Sequence, residues 1–112
     1  MAVHRVTSHL MDLNVSGFDW DHGNRQKCQK HGVSIAGIEG AFRGPIAVFP
    51  DPEHSAAEER FKAIGQTSAG RAILVVFTIR QHLGKRLIRP LSARYMHLKE
   101  VEYYEAEAAR TR

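Results

Sequence analysis

The sequence predicts an α+β domain built on a mainly antiparallel sheet, with two short N-terminal helices and a C-terminal helix. Three observations predict it. From Glu58 the chain alternates, with Phe61 and Ala63 on one parity and Arg60, Lys62 and Ile64 on the other. The run Ala72–Ile79 is apolar and rich in β-branched residues, as expected of a central strand buried on both faces. Turn signals at Gln66–Gly70 and Gln81–Lys85 link these segments too tightly for crossovers, so neighbouring strands run antiparallel.

Taken in order, residues 1–16 carry no clear period and are expected to form a flexible N-terminal arm, leaving 17–112 as a single domain. Gly17–Trp20 is short and aromatic, a first strand. Asp21 fits a helix N-cap, and a helix follows from His22 to His31. Cys28 is nearly its only apolar residue and Gly23 weakens it, so this helix must lean on the stems of long polar side chains. Gly32 suits the left-handed conformation that closes a helix, and Ser34 suits the N-cap of the next. Val33 before that cap and Ile38 after it have the spacing of a hydrophobic staple. Ile35, Ile38 and Phe42 continue one apolar face until Gly44-Pro45.

Ile46–Phe49 is a short strand ended by Pro50-Asp51-Pro52. Arg86–Arg94 is the last strand; Pro90 lacks a backbone donor and belongs at an edge or a bulge. A C-terminal helix spans His97–Arg110, with Leu98, Val101, Tyr104 and Ala108 as its apolar stripe.

The bulk properties bound the function. A chain of 112 residues with 43% hydrophobic and 25% charged residues is a single globular domain. One cysteine excludes an internal disulfide and agrees with a reducing compartment. No apolar run approaches a membrane span and the N-terminus lacks a signal-peptide core, so a cytoplasmic location without membrane contact is expected. A net charge of +4 and a pI near 9.6 point to an anionic partner, nucleic acid or an acidic protein.

Several residues could carry chemistry. Lys27, Lys30 and His31 are helical neighbours by their spacing. They form either a solvated basic face or a phosphate-binding edge whose histidine transfers a proton near neutral pH. Arg60 follows Glu58 and Glu59: either these are cross-strand charge pairs, or Arg60 grips a phosphate while a glutamate acts as base. Arg94 ends the last strand and either meets Glu100 or faces the ligand. Arg80 closes the central strand and either reaches water or adds charge. His54-Ser55 with Glu58 has the composition of a hydrolase triad, but no G-x-S-x-G accompanies it. The histidines and Cys28 lack the spacing of a zinc site, and no P-loop or dinucleotide fingerprint is present, so neither a metal nor a cofactor is expected.

An ordered set of short motifs adds to this. Phe18-Asp19-Trp20-Asp21, Lys30-His31-Gly32-Val33-Ser34, His54-Ser55, Glu59-Arg60-Phe61, Ile64-Gly65, Gly70-Arg71, Ser92-Ala93-Arg94 and Tyr104-Glu105 together resemble the BrnT toxin family. The resemblance runs from residue 18 to about 105. It implies a small ribonuclease of RelE-like fold, the toxin of a type II toxin–antitoxin pair. It also implies a BrnA-like antitoxin carrying a ribbon-helix-helix DNA-binding part, a hetero-oligomer with that antitoxin, and promoter DNA bound through it. RNA can be cut without a metal when its own 2′-hydroxyl attacks the adjacent phosphate, given a base, an acid and positive charge on the transition state. Arg60, Arg80 and Arg94 are candidates for the charge, and His31 or Glu59 for the base. Lys27, Lys30 and Tyr104 are candidates for holding substrate. The parity of β-strand residues sets Glu59 and Arg60 on opposite sides, which favours His31 as the proton carrier. The rival from another class is a non-catalytic basic module that binds an acidic protein or nucleic acid.

Overall fold

The structure, a computed structural model, describes residues 13–54 and 57–110. The chain forms β1 (Gly17–Phe18), α1 (His22–Gln29), α2 (Ile35–Arg43), β2 (Ala47–Pro50), β3 (Phe61–Gln66), β4 (Ala72–His82), β5 (Lys85–Tyr95) and α3 (Leu98–Arg110). A short 3-10 turn at Pro52–His54 follows β2. Every expected element is present, and the α+β class holds. Most of the expected N-terminal arm, residues 1–12, lies outside the described residues. Leu13 and Val15 pack against the core, and the Ser16 N–H donates to the Arg86 carbonyl at 2.8 Å.

The sheet is ordered β1-β5-β4-β3-β2. β5–β4, β4–β3 and β3–β2 are antiparallel, while β1 runs parallel to β5, so the sheet is mixed. β4 takes the central place that its apolar run demands. Ile73, Val75 and Phe77 are buried on one side of it and Leu74 and Thr78 on the other.

One face carries the main core. α2 packs across β3 and β4, and α1 against β5. Phe42 of α2 meets Phe18 and Phe77 edge-on, with centroids 5.8 and 5.2 Å apart, and Phe61 stacks on Phe77. Val33 and Ile38, the staple pair, are both buried in this cluster. Ser34 accepts from the Gly37 N–H at 2.9 Å, and Gly32 takes φ +89° between the helices.

The weak apolar pattern of α1 is offset by a polar anchor that sequence inspection missed. Asn24 is buried. Its side-chain amide donates to the carbonyls of Asp19 and Pro90, both at 2.9 Å, and its oxygen accepts from the Asp21 N–H at 2.7 Å. The Asp21 carboxylate in turn accepts from the Asn24 N–H at 3.0 Å, closing a reciprocal cap. Cys28 is fully buried, and burial pushes its thiol up to about 11. It is a packing residue, held protonated.

β5 carries the feature that positions the site. Ile88 pairs with Ile79 and Ala93 with Val75, but the register slips by one between Val76 and Phe77. Leu91 is the extra residue, next to Pro90, as expected of a proline confined to a bulge. Ile88 and Ala93 both face the core although five residues separate them. The bulge therefore inverts the alternation, and Ser92 and Arg94 turn to the face opposite the core helices.

The β4–β5 hairpin runs beyond the rest of the sheet. Gln81 to Arg86 are all exposed. Its two-residue turn sets Leu83 at φ +51° and Gly84 at φ +78°, the positive pair that a type I′ hairpin requires. Glycine suits this; a leucine there costs about 1–2 kcal/mol.

α3 lies on the open face. Phe49 pairs with Lys62 in register, so it points away from the core helices, and its ring meets Tyr104 at 5.4 Å. Val101 and Tyr104 are half-buried, as the stripe predicts, but Leu98 is 73% exposed. Glu100 is tied to Arg94, and a residue two positions from it points roughly 200° away around the helix, which turns Leu98 outward. The side chain of Ala108 lies outside the described residues. Among the described residues no helix is long and apolar enough to cross a membrane.

Candidate active site

The open face of the sheet holds a cleft of about 380 Å³. Its charged and polar walls come from His31, Asp51, Arg60, Lys62, Arg94 and Tyr104, over a floor that includes Leu74, Val76 and Ser92. Sequence-distant elements build it. His31 follows α1, which packs on β5. Arg60 immediately precedes β3 and Lys62 is its second residue, while Arg94 comes from the end of β5 and Tyr104 from α3.

Local chemistry fixes each wall. Thr78 is buried, and its hydroxyl donates to the Glu59 carbonyl at 2.7 Å, holding the chain just before Arg60 against β4. The Asp51 N–H donates to the Arg60 carbonyl at 3.0 Å, which extends the β2–β3 pairing by one step. Lys62 pairs with Val76, and Val76 with Ser92, so these side chains share the open face. Arg94 joins them only because of the bulge in β5.

Arg94 is held by a fork. Its two terminal nitrogens donate to the two Glu100 oxygens at 2.8 and 2.7 Å. The His97 N–H also donates to Glu100, at 3.2 Å. Arg94 first, and then the His97 N–H, pull the Glu100 carboxyl down to about 2; the Glu100 carboxylate raises Arg94 above its ordinary value. A planar guanidinium already paired with a two-oxygen anion is shaped to take a phosphate in its place.

The sequence candidates divide. His31, Arg60, Arg94 and Tyr104 meet in the cleft. Lys27, Lys30, Glu59 and Arg80 do not line it. Arg80 makes a two-pronged bond to Glu58, both contacts at 3.0 Å, which holds the Glu58 carboxyl below its usual range. Ser55 and the side chain of His54 lie outside the described residues. Lys62, Asp51 and Ser92 were not among the candidate site residues, although Ser92 belongs to a family motif. Lys62 could have been, since it follows Arg60 by one strand period; Ser92 could not, because its facing depends on the bulge.

A larger hollow, about 610 Å³, opens between α2, β2 and α3. Small and apolar residues such as Ala36, Gly40, Ala47 and Val101 dominate its walls, with Glu105 at one side. Among the described residues none of its walls is a lysine, arginine or histidine, so it offers an anion no positive partner. Among the described residues no three His, Cys, Asp or Glu side chains gather as metal ligands.

The open face of this small mixed sheet thus carries a cleft lined by cations, a histidine and a tyrosine. The family model described as "Ribonuclease toxin, BrnT, of type II toxin-antitoxin system" matches residues 20–100, and the chain belongs to that family. Membership makes it the ribonuclease toxin of such a pair, with RNA as substrate and an antitoxin protein as partner. Comparison with curated proteins gave no match.

Proposed function

We propose that the protein is a metal-independent endoribonuclease of RelE-like fold that acts in the cytoplasm and blocks translation by cutting RNA in the cleft of His31, Arg60, Lys62 and Arg94. The observation that carries this is the convergence of three cations and one imidazole from three separate parts of the fold on one opening. His31 accepts the proton of the 2′-hydroxyl, whose oxygen attacks the adjacent phosphorus. The P–O5′ bond breaks, leaving a 2′,3′-cyclic phosphate, and the 5′ oxygen takes a proton from the Lys62 ammonium. Arg60 and Arg94 neutralise the oxygens of the crowded phosphorus in the transition state. Arg94 exchanges the Glu100 carboxylate for phosphate. Tyr104, braced by Phe49, presents a ring to a neighbouring base. Glu59 lies outside the cleft lining, which supports His31 as the base. The partner is a BrnA-like antitoxin with a ribbon-helix-helix part, through which a hetero-oligomer binds promoter DNA.

The test is incubation of the purified toxin with RNA in EDTA, with the product ends identified. Cyclic phosphate ends are expected, and Arg60→Ala is expected to lose about 100-fold or more in kcat while remaining folded. Full cleavage by Arg60→Ala, or products that need added metal, would overturn this mechanism.

A further inference from the structure

The tip of the β4–β5 hairpin is costly to its own fold. Leu83 is 88% exposed and sits at φ +51°, a position where asparagine or glycine serves better. It touches no core. His82, Lys85 and Arg86 flank it, all exposed. A strained, solvated leucine among cations has no use within the chain, so its use lies in contact with something else.

Charge says what that is. Residues 60–99 contain nine lysines and arginines and no aspartate or glutamate. This stretch is β3, β4, β5 and their turns, which build both the cleft floor and the hairpin. His82 and Lys85 are register partners and lie on the same sheet face as Arg80, Val76 and Lys62. From Val76 in the cleft to Leu83 at the tip is seven residues, about 23 Å along the strand. Glu58 pairs with Arg80 between them, so the positive charge of this face falls in two groups, the cleft and the hairpin tip.

We infer that the hairpin tip is a second RNA-binding site, several nucleotides from the cut. Lys85, on the open face, and Arg86, on the opposite face of the narrow hairpin, contact backbone phosphates as the strand passes round the tip, and Leu83 packs against a sugar or base face. It rests on the cleft being where RNA is cut. Phosphates supply the anion and sugars the apolar surface, which this mixed tip matches; an acidic protein face matches only the cations.

The experiment measures binding of a long 2′-O-methyl RNA strand, which the attacking hydroxyl cannot cleave, by wild type and variants across a salt series. Lys85→Gln with Arg86→Gln is expected to weaken binding about fivefold to tenfold and to lower the salt slope by about 1.4, roughly 0.7 for each lost phosphate contact. Leu83→Asn is expected to raise Tm, because asparagine suits the turn, and yet to weaken binding several-fold. A trinucleotide that fills the cleft alone is expected to bind all three proteins alike. Unchanged binding of the long strand by either variant overturns the inference. So does loss of antitoxin binding with RNA binding intact, which assigns the tip to the protein partner. A wild type that binds the methylated strand through the tip but leaves ordinary RNA uncut in EDTA overturns the cleavage mechanism and leaves the tip site standing.

Discussion

Two arginines of β5, five residues apart, sit on either side of one bulge, and each binds carboxylate from a different element. Arg89 is 16% exposed by its side chain and reaches Asp21 at 2.8 Å and Asp19 at 3.5 Å. Those carboxylates belong to the start of α1, which Asn24 pins to the Pro90 carbonyl. Arg94 is 43% exposed and holds Glu100, on the first turn of a helix that rests on the open face. Both are arginine–carboxylate pairs at nearly the same distance. Asp21 is fixed by its reciprocal cap with Asn24, although its carboxylate is half exposed; Glu100 lies on the first turn of a helix at the rim of the cleft. On the proposed mechanism Arg89 is a structural rivet and Arg94 a ligand-binding group, according to what holds each partner.

The largest effect that separates them is on catalysis. Arg94→Ala is expected to lower kcat about 100-fold or more with little change in Tm, whereas Arg89→Ala is expected to keep kcat in the folded fraction but lose about 1–2 kcal/mol of stability in a denaturant titration. Equal loss of activity in both would erase the distinction. A smaller effect isolates the displaceable partner. Glu100→Gln leaves Arg94 without its anion, so RNA is expected to bind several-fold more tightly, read as a lower KM in a cleavage assay. An unchanged or raised KM means that Glu100 instead aims Arg94.

The smallest effect is on the pH dependence of stability. Glu100 ionises at about 2 when folded against an ordinary 4.5. A depressed carboxyl contributes stability that is complete above the ordinary value and is lost as pH falls from about 4.5 to about 2. The pair is partly solvated, so its share is at most about 1 kcal/mol. Glu100→Gln is expected to flatten that limb of a stability-versus-pH curve, while Arg89→Ala leaves it in place.

Much of the fold was legible from local signals. The Ser34 cap and the Gly32 stop depend on one or two residues each, and both are where the residue types put them. β4 could be placed at the centre because a strand apolar on both sides has nowhere else to go. The anchor of α1 was harder to see. Asn24 lies one helical turn from Asp21, a readable cap, but its bond to Pro90 joins residues 66 apart. The candidate site was legible in its parts and not in its assembly. Arg60, Arg80 and Arg94 look equivalent along the chain, yet Glu58 takes Arg80 while the cleft takes the other two.

By itself the sequence determined the element order, the caps and turns, the central strand, the excess of positive charge and the family motifs. These follow from residue types acting on neighbours within a few positions. The tertiary structure alone decided which cations converge. Strict alternation from the buried Ile88 would point Arg94 into the core; one extra residue at Leu91 turns it out beside Lys62. That phase is set by pairing with β4, a non-local contact that no window of the chain encodes.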